Sequence, residues 1–163
     1  SEILFLEGYL WDEGEPKKAF EKAIQSSSKT AMSLSDLFCV ERHKENFLHL
    51  YKNKLDITFA NEQEIMSLCR AKNIDEVIEF SKQQGKLTII TRGERGAVAV
   101  DGNTVVECEA VKNIKLVDLT GAGDLFAAGF LHGYINKLST KESLEKGAEM
   151  SSKIIQKIGA RLD

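Results

Sequence analysis

An α/β fold on a mainly parallel sheet, with an antiparallel hairpin in its second half, is what this chain predicts. Short apolar strands alternate with amphipathic helices through the first half, the pattern of parallel strands joined by crossover helices. From Lys86 onward, strand-like runs instead follow one another across glycine turns with no helix between them. Size is the third observation: 163 residues, 42% hydrophobic and 29% charged, suit one globular domain or a large part of one. No internal repeat or low-complexity linker divides the chain.

Ile3–Leu6 reads as the first strand, with Gly8 opening a loop, and Pro16 starts a helix whose Ala19, Phe20, Ala23 and Ile24 recur at helical spacing. TAMSL is the next strand. Ser35 and Asp36 are candidate caps of a helix running to about Lys54. LDITFA is a third strand ending at NEQE, after which helices are expected from Glu62 and over Ile74–Gln84, the latter closed by Gly85. Leu87–Thr91, Ala97–Val100 and Thr104–Ala110 are strand-like and separated by Gly93, Gly96 and a DGN turn. VDL reads as a strand-like approach to TGAGD, followed by a helix to about Asn136, a short link at Leu138–Thr140 and a last helix to about Lys157.

Composition excludes some function classes. A formal charge of −3 and a pI near 5.7 give no electrostatic reason to expect nucleic acid or an anionic membrane as partner. No apolar run is long enough to span a bilayer, so the cytoplasm is the default location. Cys39, Cys69 and Cys108 are odd in number and widely spaced, and are read as small apolar fillers without a disulfide framework or zinc pattern. His43, His49 and His132 share no constellation with a Ser or Cys nucleophile and read as surface or partly packed residues. A GxGxxG after the first strand, the mark of dinucleotide-dependent oxidoreductases, is not found.

The most constrained stretch is VDLTGAGDLFAAGF, Val117–Phe130. With Gly121, Ala122 and Gly123 in the first helical turn, their amides lack intrahelical partners and face outward at the positive end of the dipole, where small side chains let an anion approach. Asp124 sets a negative charge beside that anion site. The pairing makes sense if the carboxylate takes a proton from a hydroxyl while the amides stabilise a transferring phosphoryl group. Taken alone, the same residues also read as a tight strand-to-helix turn with an acid favouring the helix start.

This stretch resembles the signature of the ribokinase-like, or PfkB, carbohydrate and nucleoside kinases. NEQE resembles the family's NxxE element and TRGERG its nucleotide-side loop, in the same order along the chain. The resemblance implies a three-layer αβα ribokinase-like fold. It assigns Asp124 as catalytic base, Gly121, Ala122 and Gly123 as the anion hole, and Asn61 and Glu64 as Mg²⁺ and phosphate residues acting through water. Thr91, Gly93 and Gly96 would lie near the nucleotide phosphates, and Gly147 and Ser151 would border an adenine pocket. ATP and Mg²⁺ are thereby the implied cofactors, and a small sugar or nucleoside the partner. A K⁺ site at Asp118 and Thr120 is permitted, with a loop-bracing Asp118 as the equal alternative.

Local readings stand beside these. NEQE also reads as a capping box, compatible with the metal role. TRGERG by itself reads as an ordinary turn with solvated Arg92, Glu94 and Arg95. Gly129 and Gly133 read as close packing of their helix on the sheet. GYLWD and SLSDLFCVERHKENF resemble segments of bacterial adenosine-kinase-like members, so a nucleoside is the first acceptor expected and a sugar such as ribose or 2-keto-3-deoxygluconate the second. Family members are longer, and the chain starts at Ser1. Residues 1–163 are therefore expected to be the catalytic and nucleotide-binding C-terminal portion of one kinase domain, without its lid and acceptor-binding half. Such a portion is expected to turn over little alone and to self-associate through an exposed strand edge; a homodimer is compatible with this.

Overall fold

The computed structural model describes residues 2–12 and 14–162. Ser1, on which the expectation of a shortened chain rests, lies outside the described residues. The strands are β1 (Leu4–Glu7), β2 (Thr30–Ser33), β3 (Ile57–Asn61), β4 (Leu87–Thr91), β5 (Ala97–Asp101) and β6 (Thr104–Cys108). The helices are α1 (Pro16–Gln25), α2 (Leu37–Arg42), α3 (Lys44–Asn53), α4 (Glu62–Cys69), α5 (Ile74–Gln84), α6 (Ala122–Ile135) and α7 (Thr140–Ile154). The six strands form a sheet in chain order, mostly parallel at its start and antiparallel over β4 to β6. This is the α/β class that the sequence predicts.

Two compact units divide the chain. The first comprises residues 1–90 and 100–104. Its β1, β2 and β3 pair in parallel, with Leu4 opposite Thr30 and Ala31 opposite Ile57. Ala31, Met32 and Ile57 are buried, as strands covered on both faces must be. The core is pinned by one polar device: the buried Tyr51 hydroxyl donates to Ser81 Oγ at 3.0 Å and lies 2.9 Å from Thr88 Oγ1. All three hydroxyls are thus satisfied away from water.

Two expectations in this unit are corrected. Gly8–Trp11 is a 3-10 turn, not a loop. It is held in place by Trp11, which packs edge-on against Phe20 at 5.0 Å and Phe47 at 6.1 Å. The single helix expected to run to Lys54 is broken into α2 and α3 at His43, whose backbone leaves helical geometry at φ −119° and ψ 23°. The cause is tertiary. Arg42 and His43 both turn to Asp12, with Arg42 Nη2 to Asp12 Oδ2 at 2.5 Å and His43 Nε2 to Asp12 Oδ1 at 2.6 Å. Asp36 caps α2 as expected, accepting from Cys39 N at 2.6 Å. Cys39 is fully buried and free, as the filler reading expects, and Asp12, Cys39 and His43 each bring a potential ligand atom within 4.8 Å of the others.

The second unit comprises residues 91–99 and 105–163. VDL is not a strand there: the amides of Val117 and Asp118 both donate to the carbonyl of Ile155 beyond α7, at 2.8 and 3.2 Å, so the segment is pinned by one carbonyl in place of a ladder. Gly129, Gly133 and Gly147 are small because α6 and α7 interlock, not because α6 meets the sheet. A Cβ on Gly129 would stand 2.5 Å from the Lys146 carbonyl oxygen, and one on Gly147 2.9 Å from Phe126.

That interlock predicts a sign. Gly129→Ala gains roughly 1 kcal/mol in helix propensity, but overpacking a closed contact costs roughly 1–3 kcal/mol. The urea midpoint of Gly129→Ala is expected to fall, and a raised midpoint would contradict the packing described.

Candidate functional site

In the first unit, NEQE lies where β3 hands over to α4, and the corner is a complete capping box. Asn61 Oδ1 accepts from Glu64 N at 2.9 Å, while Glu64 Oε2 accepts from Asn61 N at 2.9 Å and Oε1 from Asn61 Nδ2 at 2.8 Å. Glu64 is only 5% exposed. Burial pushes its carboxyl up, against the Asn61 amide that holds it down, with the negative charge of Asp36 adding to the rise. Each Glu64 oxygen keeps a lone pair beyond its bond to Asn61, so the carboxylate can accept from water on a hydrated cation, whose positive charge would favour the ionised form against burial. Asn61 and Glu64 fit Mg²⁺ in that indirect way.

In the second unit, one cavity of about 860 Å³ gathers most of the remaining predicted residues. Thr91, Gly93 and Gly96 come from the TRGERG turn, Ala122 and Gly123 from the start of α6, and Ser151 from α7. The turn is tight: Arg92 N donates to Gly96 O at 2.8 Å and Gly96 N to Gly93 O at 3.0 Å. Gly96 has φ +83°, and a Cβ there would overlap the Cys108 carbonyl oxygen at 2.0 Å, so no side chain is admitted. Gly121 and Gly147 do not line the cavity. Gly147 is buried against Phe126, while its neighbour Ala148 takes the lining position.

The start of α6 refines the expected anion hole. Gly121 is the cap, with φ +77°, and its missing Cβ would meet Ala160 at 2.9 Å. Ala122 N already donates to Leu119 O at 3.1 Å. Among the described residues, the amides of Gly123 and Asp124 are the ones in this first turn without a carbonyl partner. Of the expected trio, Ala122 alone has its amide taken up; the Gly121 amide, at the cap, likewise has no carbonyl partner among the described residues. Asp124 is exposed and stands in that same first turn.

Asp118 accounts for the shape of the approach. Its Oδ1 accepts from Thr120 N at 2.9 Å and Thr120 Oγ1 at 2.7 Å, and its Oδ2 accepts from Gly159 N at 2.9 Å. These donors, Gly159 first, hold its carboxyl below the usual range. Both oxygens and the Thr120 hydroxyl are engaged, so these side chains suit a brace better than a K⁺ ligand set.

Sequence reasoning missed much of the cavity wall. Val111, Ile114, Leu116 and Leu119 line it from the coil between β6 and α6, together with Phe126 and Ile155. The signal was present as a run of spaced apolar residues; Leu119 fell within the strand-like VDL, and Val111, Ile114 and Leu116 lay between the expected elements. Leu116 and Leu119 remain 59% and 65% exposed, an apolar face open to the cavity.

Comparison with known proteins finds relatives of one family. The family model described as pfkB family carbohydrate kinase matches residues 1–163. The chain is 39% identical to adenosine kinase from Sinorhizobium meliloti, with a TM-score of 0.94 over 99% of this chain and 51% of that one. It is 36% identical to a probable sugar kinase protein from Rhizobium etli, with a TM-score of 0.93 over 98% of this chain and 50% of that one. A cytidine kinase of Thermococcus kodakarensis is 31% identical over 118 residues, 71% of this chain and 42% of the relative. The chain therefore spans about half the length of the relatives it matches.

Glu64 offers a test of the first unit by pH. Its folded-state pKa is raised, so its favourable contribution is complete below its ordinary value of 4.5 and is lost as pH rises through the folded value. Relative to the parent, Glu64→Gln is expected to gain stability between about pH 4 and about pH 7 in urea unfolding, since any cost of the amide to the cap is independent of pH. A constant difference, or one moving the other way, would contradict the burial argument.

Proposed function

The chain belongs to the pfkB family of carbohydrate kinases, and on that premise we propose that it is the C-terminal, nucleotide-binding portion of an ATP-dependent kinase acting on a hydroxyl of a small carbohydrate or nucleoside. The observation that carries the reading is the first turn of α6, where two unpartnered amides and an exposed carboxylate follow directly on residues lining the cavity.

In this reading the apolar face of Val111, Leu116 and Leu119 receives the nucleotide base, and the glycines of the TRGERG turn let its phosphates approach the main chain. The amides of Gly123 and Asp124 donate to oxygens of the transferring phosphoryl group, whose charge they stabilise without reorganising. Asp124 accepts the proton of the acceptor hydroxyl as its oxygen attacks the γ-phosphorus and the bond to ADP breaks. Mg²⁺ would neutralise phosphate charge when bound, and Asn61 and Glu64 would hold it through water. Asp118 acts as the brace of the loop. A nucleoside is the first acceptor, supported by the likeness of GYLWD and SLSDLFCVERHKENF to adenosine-kinase-like segments, and a sugar the second.

A second reading, an inert nucleotide-binding piece, is favoured by the coverage of only about half of each relative. Acceptor positioning supplies much of the rate in phosphoryl transfer, so the 163-residue chain is proposed to turn over little without that half.

Asp124→Asn separates base from binding. In a protein that also carries the acceptor-binding half, turnover is expected to fall by about 10² to 10⁴-fold, with ATP affinity by calorimetry unchanged within about threefold. Retention of substantial turnover would remove Asp124 from the role of base, and a parallel collapse of ATP affinity would reassign it to binding.

A further inference from the structure

The first unit holds a group of side chains that the kinase reading does not use. Asp12 follows the 3-10 turn, Cys39 lies within α2, and His43 ends α2, yet one ligating atom from each falls within 4.8 Å of the others. Cys39 and His43 are four residues apart, which sets both on one face of a single helical turn. Asp12 is brought to them from far along the chain. We propose that Asp12, Cys39 and His43 form a zinc-class metal site, unrelated to the phosphoryl-transfer chemistry, that fastens the 3-10 turn to the α2–α3 corner.

The donor set is what supports the ion's class. One thiolate, one imidazole nitrogen and one carboxylate oxygen are ligands of a borderline-soft dication and are poorly suited to Mg²⁺ or Ca²⁺. Asp12 and an ionised Cys39 together balance the two charges of the ion, with a fourth position left to water. Tetrahedral zinc at its usual bond lengths separates its ligands by roughly 3.3–3.8 Å. From the present spacing, Asp12 and His43 open from 2.6 Å, and a separation at the 4.8 Å limit closes by roughly 1–1.5 Å. The ion takes the place of the hydrogen bond now made between Asp12 Oδ1 and His43 Nε2.

The surroundings already orient these ligands. Arg42 Nη2 holds Asp12 Oδ2 at 2.5 Å, fixing the carboxylate from its far side and leaving Oδ1 toward His43, the arrangement of a supporting shell. Arg42 Nε also reaches Oδ1, at 3.2 Å, and is the contact that must lengthen. The His43 ring packs against Phe47 at 5.8 Å, which limits its rotation. Cys39 is fully buried, so its sulfur is shielded from solvent oxidants and disulfide partners.

Co²⁺ is the probe, because thiolate coordination gives it a sulfur-to-metal charge-transfer band that oxygen and nitrogen ligands do not. The reduced 163-residue chain, titrated with Co²⁺ and then back-titrated with Zn²⁺, is expected to show that band saturating at one equivalent and bleaching with zinc. Cys39→Ser is expected to abolish it, and Cys69→Ser and Cys108→Ser to leave it intact. Asp12→Asn and His43→Gln, which alter side chains at or near the surface, are each expected to weaken Co²⁺ binding at least about tenfold, the lower end of what losing even a supporting partner costs. These two variants keep the test decisive if Cys39→Ser does not fold. No charge-transfer band, a band that survives Cys39→Ser, one lost in Cys69→Ser, or affinity unchanged in both Asp12→Asn and His43→Gln would each overturn the proposal.

Discussion

Three hydrogen bonds to the Asp118 carboxylate are the constraint on which the second unit's site rests. The loop entering α6 has no strand ladder to hold it, and its two tethers are the Ile155 carbonyl and this one side chain. By tying Thr120 and Gly159 to one acid, the brace sets the C-terminal IGAR segment against the loop, and Ala160 then occupies the space a side chain at residue 121 would need. The glycine cap and its left-handed backbone follow. Because the donors favour the ionised acid, the brace is intact above the ordinary carboxyl range and is lost as pH falls through the lowered folded value.

Local stability and proposed chemistry use the same atoms at both candidate elements. The capping box at Asn61 and Glu64 would start α4 whether or not a cation was ever near, yet it also buries a carboxylate beside Asp36, which local helix capping does not require. Likewise, the first turn of α6 must leave amides unpaired because every helix does. What distinguishes it is that the lining residues Ala122 and Gly123 carry almost no side chain, so the amide of Gly123 can be approached from the cavity.

Legibility in the sequence followed the range of the interactions involved. Elements set by local chemistry were readable: the Pro16 helix start, the capping box, the left-handed Gly85 closing α5, and the glycine turns around β4 to β6. Those set by distant partners were not. The break at His43 depends on Asp12, and the coil at VDL on Ile155, neither of which a periodicity window contains. The same holds within the site. TRGERG and TGAGD announced themselves through glycine, whereas Val111, Leu116 and Leu119 lie in a coil that carries no periodicity to mark it as a cavity wall. Of the trio expected to donate amides, Ala122 alone is withdrawn, by a bond to the Leu119 carbonyl that depends on backbone angle and not on composition.

The central claim is that the unpaired amides of α6 receive a nucleotide's phosphates. Amide-resolved NMR of the uniformly labelled chain, titrated with ADP and with inorganic phosphate, tests it most directly. Gly123 and Asp124 are expected to show the largest amide shifts with both ligands, and residues of the apolar wall such as Leu116 and Leu119 to respond to ADP alone. Shifts that leave Gly123 and Asp124 unmoved, or that gather instead around the smaller cavity lined by Trp11, Phe20 and Leu50, would contradict it.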